Sequence, residues 1–248
     1  MENTVLKKIV NILKEYTLDE ILEFEEKFDP QFEALKRLYE KIEESDIFIT
    51  LVCLNALVCY QLNCRGEEYW WEFFNFFVSA RIDRPKLLNS IIGFLRQSRC
   101  NKRLLNQKIR RIEKACVLIQ HFSKKINWLI ENQARVAEKL SKVLNTRKNA
   151  KTIVFTVKML NYALRIITGK KIVAPFDVDI PLDSRIKAIS ESLRVKSPIN
   201  FWRSVSRITN IPPLHIDSLL WVGYRIIENR KDINNPKLAN LLKFVVKR

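Results

Sequence analysis

The chain has 248 residues, of which 47% are hydrophobic, so it can bury a core and is not a disordered protein. Only four glycines occur, which excludes hairpin-rich β architecture and glycine-rich nucleotide loops. The net charge of +17 is the sum of −6 over residues 1–46 and +23 over the rest. This basic body predicts a polyanionic partner, with nucleic acid ahead of a membrane surface, although a basic surface without a partner has the same composition.

The first half of the chain predicts a series of helices. Apolar residues from Val5 to Tyr16 fall on one helical face, and Thr17 or Asp19 begins a second helix around residues 18–27. Asp29 is the expected N-cap of a third helix that starts at Pro30. The next expected elements are a buried helix over 47–63, an aromatic helix over 67–81 and a helix that begins near Pro85.

A basic run over residues 96–114 follows, with only Glu113 as an acid. Such a run is either a solvated helix face or a surface that follows DNA phosphates, and the sequence leaves both open. Its cations are Arg96, Arg99, Lys102, Arg103, Lys108, Arg110, Arg111 and Lys114.

The second half of the chain is also helical by pattern. Helices are expected over about 108–132, 134–144 and 151–167, followed by one long non-helical stretch, "GKKIVAPFDVDIPLDSR". Asp183 or Ser184 caps the next helix. Pro198 and then Pro212–Pro213 begin two more. No segment predicts a sheet, so the fold class is all-α.

The cysteines and histidines indicate neither a metal site nor a cofactor. The five cysteines include no CxxC pair, and we expect all five to be reduced thiols in an intracellular protein. His121 and His215 are too few for a zinc site and are expected to pack between helices or lie on the surface. The five cysteines are Cys53, Cys59, Cys64, Cys100 and Cys116.

No membrane segment is expected. The N-terminus alternates apolar and charged residues at helical spacing, unlike a signal peptide. The longest apolar run, residues 47–62, contains Asn55 and is shorter than the ~20 residues that span a bilayer. We therefore expect a cytoplasmic, nucleoid-associated protein.

Lys151 is the residue that most needs an explanation. It lies at the first turn of a predicted helix, where the helix dipole already favours anions. A tolerated, solvated lysine is one interpretation, and an amine that must lose its proton easily is the other. The two helices over 134–144 and 151–167 form a hairpin of the kind whose turn amides bind DNA phosphates. Asp183 follows across a proline-containing loop.

This arrangement resembles the helix-hairpin-helix DNA glycosylases. Five segments in order narrow the resemblance to the archaeal 8-oxoguanine DNA glycosylase family, often called AGOG, and reach from residue 29 to residue 221. They are "DPQF", "LNALVCYQLNCRGEEYW", "KTIVFTVKMLNYA", "PFDVDIPLDSR" and "IPPLHIDSLLW". One departure from the wider superfamily is that the turn "LNTRKNAK" contains no glycine.

The resemblance implies roles for particular residues. Lys151 would attack C1′ of the damaged nucleotide and form a Schiff base, and the helix dipole would favour the neutral amine that this needs. Asp183 would stabilise the cationic sugar, in addition to capping a helix. Aromatic faces hold a flipped base and polar groups read its edges. The residues implied for these two tasks are Phe155 and Trp221 as the sandwich, with Trp70, Gln31, Lys158 and Asp217 at the base edges.

The sequence therefore predicts one helical glycosylase domain over residues 1–248. Its expected subdomains are residues 60–178, which contain the hairpin, and residues 1–59 with 179–248, with the active site in the cleft between them. The expected function is a bifunctional 8-oxoguanine DNA glycosylase and abasic-site lyase, acting as a monomer on double- or single-stranded DNA. A non-catalytic helical nucleic-acid-binding protein is the alternative, and a membrane-surface or scaffold protein is a third possibility.

Overall fold

A computed structural model describes residues 2–80, 82, 84–228 and 235–245. Every regular element in these ranges is helical, which confirms the all-α prediction. The helices of the first half are α1 (Glu2–Leu13), α2 (Leu18–Phe28), α3 (Pro30–Ile42), α4 (Ser45–Leu57), α5 (Gly66–Ser79), α6 (Leu87–Gln97) and α7 (Leu105–Ser123). Those of the second half are α8 (Ile126–Glu131), α9 (Gln133–Val143), α10 (Lys151–Thr168), α11 (Ser184–Ser192), α12 (Pro198–Thr209), α13 (Pro213–Glu228) and α14 (Pro236–Val245).

The chain forms two compact units. The terminal unit consists of residues 1–29 and 173–248, and the central unit of residues 30–172. The sequence-based boundaries near 59 and 178 differ from this division. The reason is that α3 and α4 pack against α5, α7 and α10, so their apolar faces belong to the central unit.

Helix α4 is the buried centre of the central unit. Every residue from Ile47 to Leu57 is buried, as expected for a helix that is apolar all round. The helix ends at Leu57 rather than at residue 63. Carbonyl oxygens at the end of this helix accept hydrogen bonds from residues far along the chain. Arg111 Nε donates to the Leu57 oxygen at 3.1 Å, and Asn101 Nδ2 donates to the Val58 oxygen at 3.2 Å. These acceptors are therefore satisfied without further helical turns.

The helix predicted over residues 108–132 is two helices. The helix is interrupted at Lys124 and Lys125, between α7 and α8. Trp128 of α8 stacks on Phe122 of α7 with ring centroids 5.2 Å apart. Helix α5 ends at Ser79, and the predicted last residue of that helix, Arg81, lies outside the described residues.

The cysteine prediction is wrong for one pair. Cys64 and Cys100 form a disulfide with a Cα–Cα distance of 5.1 Å, within the range that a disulfide spans. The loops that carry them are also joined by a hydrogen bond of 2.7 Å from the Asn63 amide to the Cys100 oxygen. The remaining cysteines are free and buried, as expected: Cys53, Cys59 and Cys116.

The terminal unit encloses its own core. Helix α14 was not predicted from the sequence, yet it contributes the buried residues Leu238, Leu241 and Leu242. A Cβ atom on Gly223 of α13 would lie 2.8 Å from Leu242 Cδ2, so glycine permits the close approach of these two helices. Among the described helices, none is long and apolar enough to cross a membrane.

Candidate active site

Lys151 is the first residue of α10, and its side chain is exposed. The preceding residue, Ala150, has an extended backbone and provides no side-chain cap. The α10 N-terminus therefore carries a solvent-accessible amine and has no capping side chain at this residue. This is the position that the sequence singled out.

The turn before Lys151 explains how the hairpin forms without glycine. Asn145 takes the left-handed conformation, with φ of 47°, just after the C-terminus of α9. The Thr146 amide then donates to the Ser141 oxygen at 2.9 Å, which is the closing bond of a Schellman cap. Asparagine tolerates this backbone conformation better than most residues, so the turn closes here without a glycine.

Arg111 holds the first turn of α10 from the inside. Its Nη2 donates to Thr152 Oγ1 at 2.7 Å, while its Nε binds the end of α4 as described above. Burial lowers the pKa of this guanidinium, which nevertheless stays charged. Sequence reasoning missed this role because it grouped Arg111 with the basic run.

Trp70 and Phe155 form an aromatic pair in the central unit. Their ring centroids are 6.4 Å apart, with Trp70 fully buried and Phe155 half-buried. The Trp70 Nε1 hydrogen is buried and has no acceptor in the part of the chain that the structure describes. Trp71 instead packs against Phe74 and the guanidinium of Arg37. Trp70 is thus the tryptophan that shares a surface with Phe155.

Lys158 and Gln31 are both buried in the central unit. Lys158 is 2% exposed, and its Nζ lies 5.7 Å from the ring centroid of Tyr162. Gln31 is 3% exposed in the first turn of α3, beside Phe32, whose ring packs on Tyr162 at 5.1 Å. The central unit therefore buries two polar side chains, one of which lies over an aromatic ring.

Asp183 is the N-cap of α11 in the terminal unit. Its Oδ1 accepts from the Ile186 amide at 2.9 Å, so the predicted cap is confirmed. One carboxylate oxygen is fixed by the backbone, which orients the other. The side chain is only half-buried.

Hydrogen bonds at two positions fix residues 173–183, the stretch that leads to Asp183, to the rest of the terminal unit. Arg203 makes two hydrogen bonds to the Asp179 carboxylate, at 2.6 and 2.7 Å. The Ala174 amide donates to His215 Nε2 at 3.0 Å, and His215 Nδ1 lies 2.8 Å from Glu25 Oε1. Since Nε2 accepts, the ring proton lies on Nδ1 and faces the glutamate. His215 is the helix-packing residue that the sequence predicts, with an added role in fixing this stretch.

Asp217 and Trp221 lie four residues apart on α13, and both are largely buried. Trp221 keeps 8% of its surface exposed, in contact with Arg185 of α11. The predicted residues therefore divide between two units. Gln31, Trp70, Lys151, Phe155 and Lys158 belong to the central unit, and Asp183, Asp217 and Trp221 to the terminal unit.

The basic run is not a uniform surface. Lys108 is fully buried and Arg111 is half-buried, so two of its eight cations do not belong to the exposed surface. The others are exposed and remain available to phosphates: Arg96, Arg99, Lys102, Arg103, Arg110 and Lys114.

The described residues, all of whose regular elements are helical, have the fold of a helical DNA glycosylase, since a solved structure of that class matches 96% of the chain. The family model described as "AGOG: N-glycosylase/DNA lyase" matches residues 10–247. The chain belongs to this family.

Curated relatives agree with the family assignment. The N-glycosylase/DNA lyase of Thermococcus kodakarensis is 40% identical over 216 residues, covering 86% of this chain and 82% of the relative. The enzyme of the same name from Methanococcus maripaludis is 37% identical over 247 residues, covering 95% and 96%. A crystal structure of the 8-oxoguanine DNA glycosylase of Pyrobaculum aerophilum, complexed with 8-oxoguanosine, matches with a TM-score of 0.83. It has 29% identity and 96% coverage of both chains.

Proposed function

We propose that this N-glycosylase/DNA lyase excises 8-oxoguanine from DNA and then cleaves the strand at the abasic site. The observation that carries the proposal is Lys151, an exposed amine at the first position of α10, directly after a glycine-free hairpin. The solved relative with 8-oxoguanosine bound supports the choice of base.

Lys151 is the proposed nucleophile. Its neutral amine attacks C1′, the N-glycosidic bond breaks, and the bonding pair leaves with the base, which takes up a proton. The C1′–O4′ bond then breaks, O4′ keeps the bonding pair and takes up a proton, and the Nζ lone pair completes the double bond of the Schiff base to C1′. Loss of a proton from C2′ and departure of the 3′ phosphate complete the β-elimination.

Asp183 is the proposed acid that stabilises the sugar while positive charge develops on it. The bond from the Ile186 amide fixes one oxygen of the carboxylate, so the negative charge is oriented before the substrate arrives. This preorganisation avoids the reorganisation that a mobile carboxylate would need.

The base pocket is proposed to combine aromatic faces with buried polar groups. Phe155 and Trp221 stack on the two faces of the purine, as flipped bases require. The Trp70 Nε1 hydrogen, buried without an acceptor in the described residues, would donate to the base edge. The remaining edge contacts are proposed for Gln31, Lys158 and Asp217.

The hairpin and the exposed cations of the basic run are proposed to bind the DNA backbone. Amides of this turn that are not used in its own hydrogen bonds would bind phosphates, and lysine and arginine side chains would neutralise them. Each chain carries one proposed nucleophile and one proposed acid, so we propose that it acts as a monomer, in the cytoplasm with the chromosomal DNA.

Strand cleavage of a duplex with a single 8-oxoguanine tests the proposal. We expect cleavage at the lesion and, with borohydride present, a covalent enzyme–DNA complex, since reduction traps the Schiff base. A duplex with guanine at the same position is the matched control. Binding without cleavage or trapping would instead favour a non-catalytic nucleic-acid-binding protein.

A further inference from the structure

We propose that Arg185 is a positioning residue that holds the indole of Trp221 in place for stacking on the flipped base. Its role would therefore affect excision of the base more than elimination at an abasic site. This inference rests on the proposed stacking role of Trp221. Arg185 itself would not touch the base. It would act by fixing the ring that does.

The guanidinium of Arg185 lies over the Trp221 ring, with Cζ 4.4 Å from the centroid. This is well inside the ~6 Å range of a cation–π contact. Its Nη2 also binds Glu228 Oε2 at 2.8 Å, and only 13% of the arginine side chain is exposed. Trp221 and Glu228 both belong to α13, so one guanidinium packs on the ring and pairs with a carboxylate of the same helix.

Arg185 also lies in the first turn of α11, two residues after Asp183. A cation at a helix N-terminus opposes the helix dipole, so this position is unfavourable for an arginine without compensating partners. The ring and the carboxylate provide that compensation. They also couple the turn that carries Asp183 to the helix that carries Trp221.

The contact has a specific consequence for base binding. An indole ring has two faces, and the guanidinium covers one of them, so a purine can stack only on the other. Holding the ring in place before DNA binds removes the cost of ordering it during base capture. Arginine suits this task better than lysine because its planar group stacks and binds a carboxylate at once.

The two activities of the enzyme separate this role from a purely structural one. Excision of 8-oxoguanine needs the base to be captured, whereas elimination at a preformed abasic site involves no base. We would measure single-turnover rates on both duplexes for Arg185→Ala, Arg185→Met, Arg185→Lys and Trp221→Ala. Arg207→Ala is the matched control, since it removes an exposed arginine from the same unit.

We expect Arg185→Ala and Arg185→Met to lower the ratio of excision to elimination by about twofold to thirtyfold, the range of one cation–π contact. Arg185→Lys should recover part of the loss, and Arg207→Ala should leave the ratio unchanged. Thermal melting identifies any variant that does not fold, and Arg185→Lys then carries the test.

Three results would overturn the inference. A lowered ratio in Trp221→Ala with an unchanged ratio in every folded Arg185 variant overturns the role of Arg185 alone. An unchanged ratio in Trp221→Ala overturns the stacking role of Trp221 and, with it, that of Arg185. Equal losses of both activities in the Arg185 variants would mean that the residue is structural.

Discussion

The rings of Trp70 and Phe155 pack with centroids 6.4 Å apart and planes tilted by 59°, and the Trp70 Nε1 hydrogen is buried without an acceptor in the described residues. A buried donor without a partner costs free energy, and a ligand that accepts from it recovers that cost. The pair therefore joins a stacking surface to an unused donor.

Trp70→Phe should keep the aromatic surface and remove the donor. We expect excision of 8-oxoguanine to slow by about tenfold to a hundredfold, because one hydrogen bond to the base is lost. Stability should fall because the smaller ring leaves a cavity at a fully buried position, so melting is measured on the same preparation. Trp71→Phe is the control and should excise normally. Equal activity of the two variants would exclude Trp70 as a base-reading residue.

Lys151→Gln should abolish base release and borohydride trapping, with a loss on the order of 10⁴-fold or more. Binding to damaged DNA should persist because the phosphate contacts remain. Lys148→Gln, an exposed lysine in the same hairpin turn, controls for the lost charge. Trapping of Lys151→Gln at the wild-type level would show that another amine is the nucleophile.

Asp183→Asn should slow excision by about 10²-fold to 10⁴-fold and leave the melting temperature nearly unchanged. The amide oxygen can still accept from the Ile186 amide, but it carries no charge to stabilise the sugar. Asp183→Ala removes the cap as well and should cost about 1 kcal/mol of unfolding free energy. If Asp183→Asn stays active within a few-fold, the residue is a structural cap, and Asp217 becomes the next candidate.

Reduction of the Cys64–Cys100 disulfide should destabilise the central unit. The two cysteines are 36 residues apart, and closing a loop of that length contributes about 4 kcal/mol in the chain-entropy description. Denaturant unfolding with and without reductant measures the effect. Cys64→Ser should match the reduced wild type and show no further response to reductant. An identical midpoint in all samples would mean that the bond adds no stability.

Lys108 should make stability rise with pH. Burial lowers the pKa of its amine to about 8 in the folded protein, while the pKa of the same amine in the unfolded chain stays near 10.4. Between these values the unfolded state binds more protons, so unfolding becomes less favourable as the pH increases. From pH 8 to 9.5 we expect the wild type to gain about 2 kcal/mol relative to Lys108→Met. If the stability of the wild type and of Lys108→Met changes in parallel with pH, the pKa of Lys108 is not lowered in the folded protein.

Local patterns predicted most of the fold. Thr17 and Glu20 form the capping box of α2, with a bond of 2.8 Å from the Thr17 amide to Glu20 Oε2, because the two positions meet within one turn. Asp183 caps α11 for the same local reason. The position of Lys151 at the start of α10 also follows from a change in polarity along the chain. The roles of Lys151, Asp183 and the base-reading residues are proposals that rest on the family resemblance.

Contacts between distant segments decided the rest. The end of α4 depends on Arg111 and Asn101, and the disulfide depends on two loops meeting. That Trp70 rather than Trp71 is paired with Phe155 depends on the ring contact between α5 and α10. The sequence alone determined an all-helical, basic protein with a helix-initial lysine after a hairpin, because capping and amphipathic periodicity act over a few residues. Only the tertiary structure decided which buried cations, rings and thiols meet, because those pairs are formed by packing between helices that no local pattern encodes.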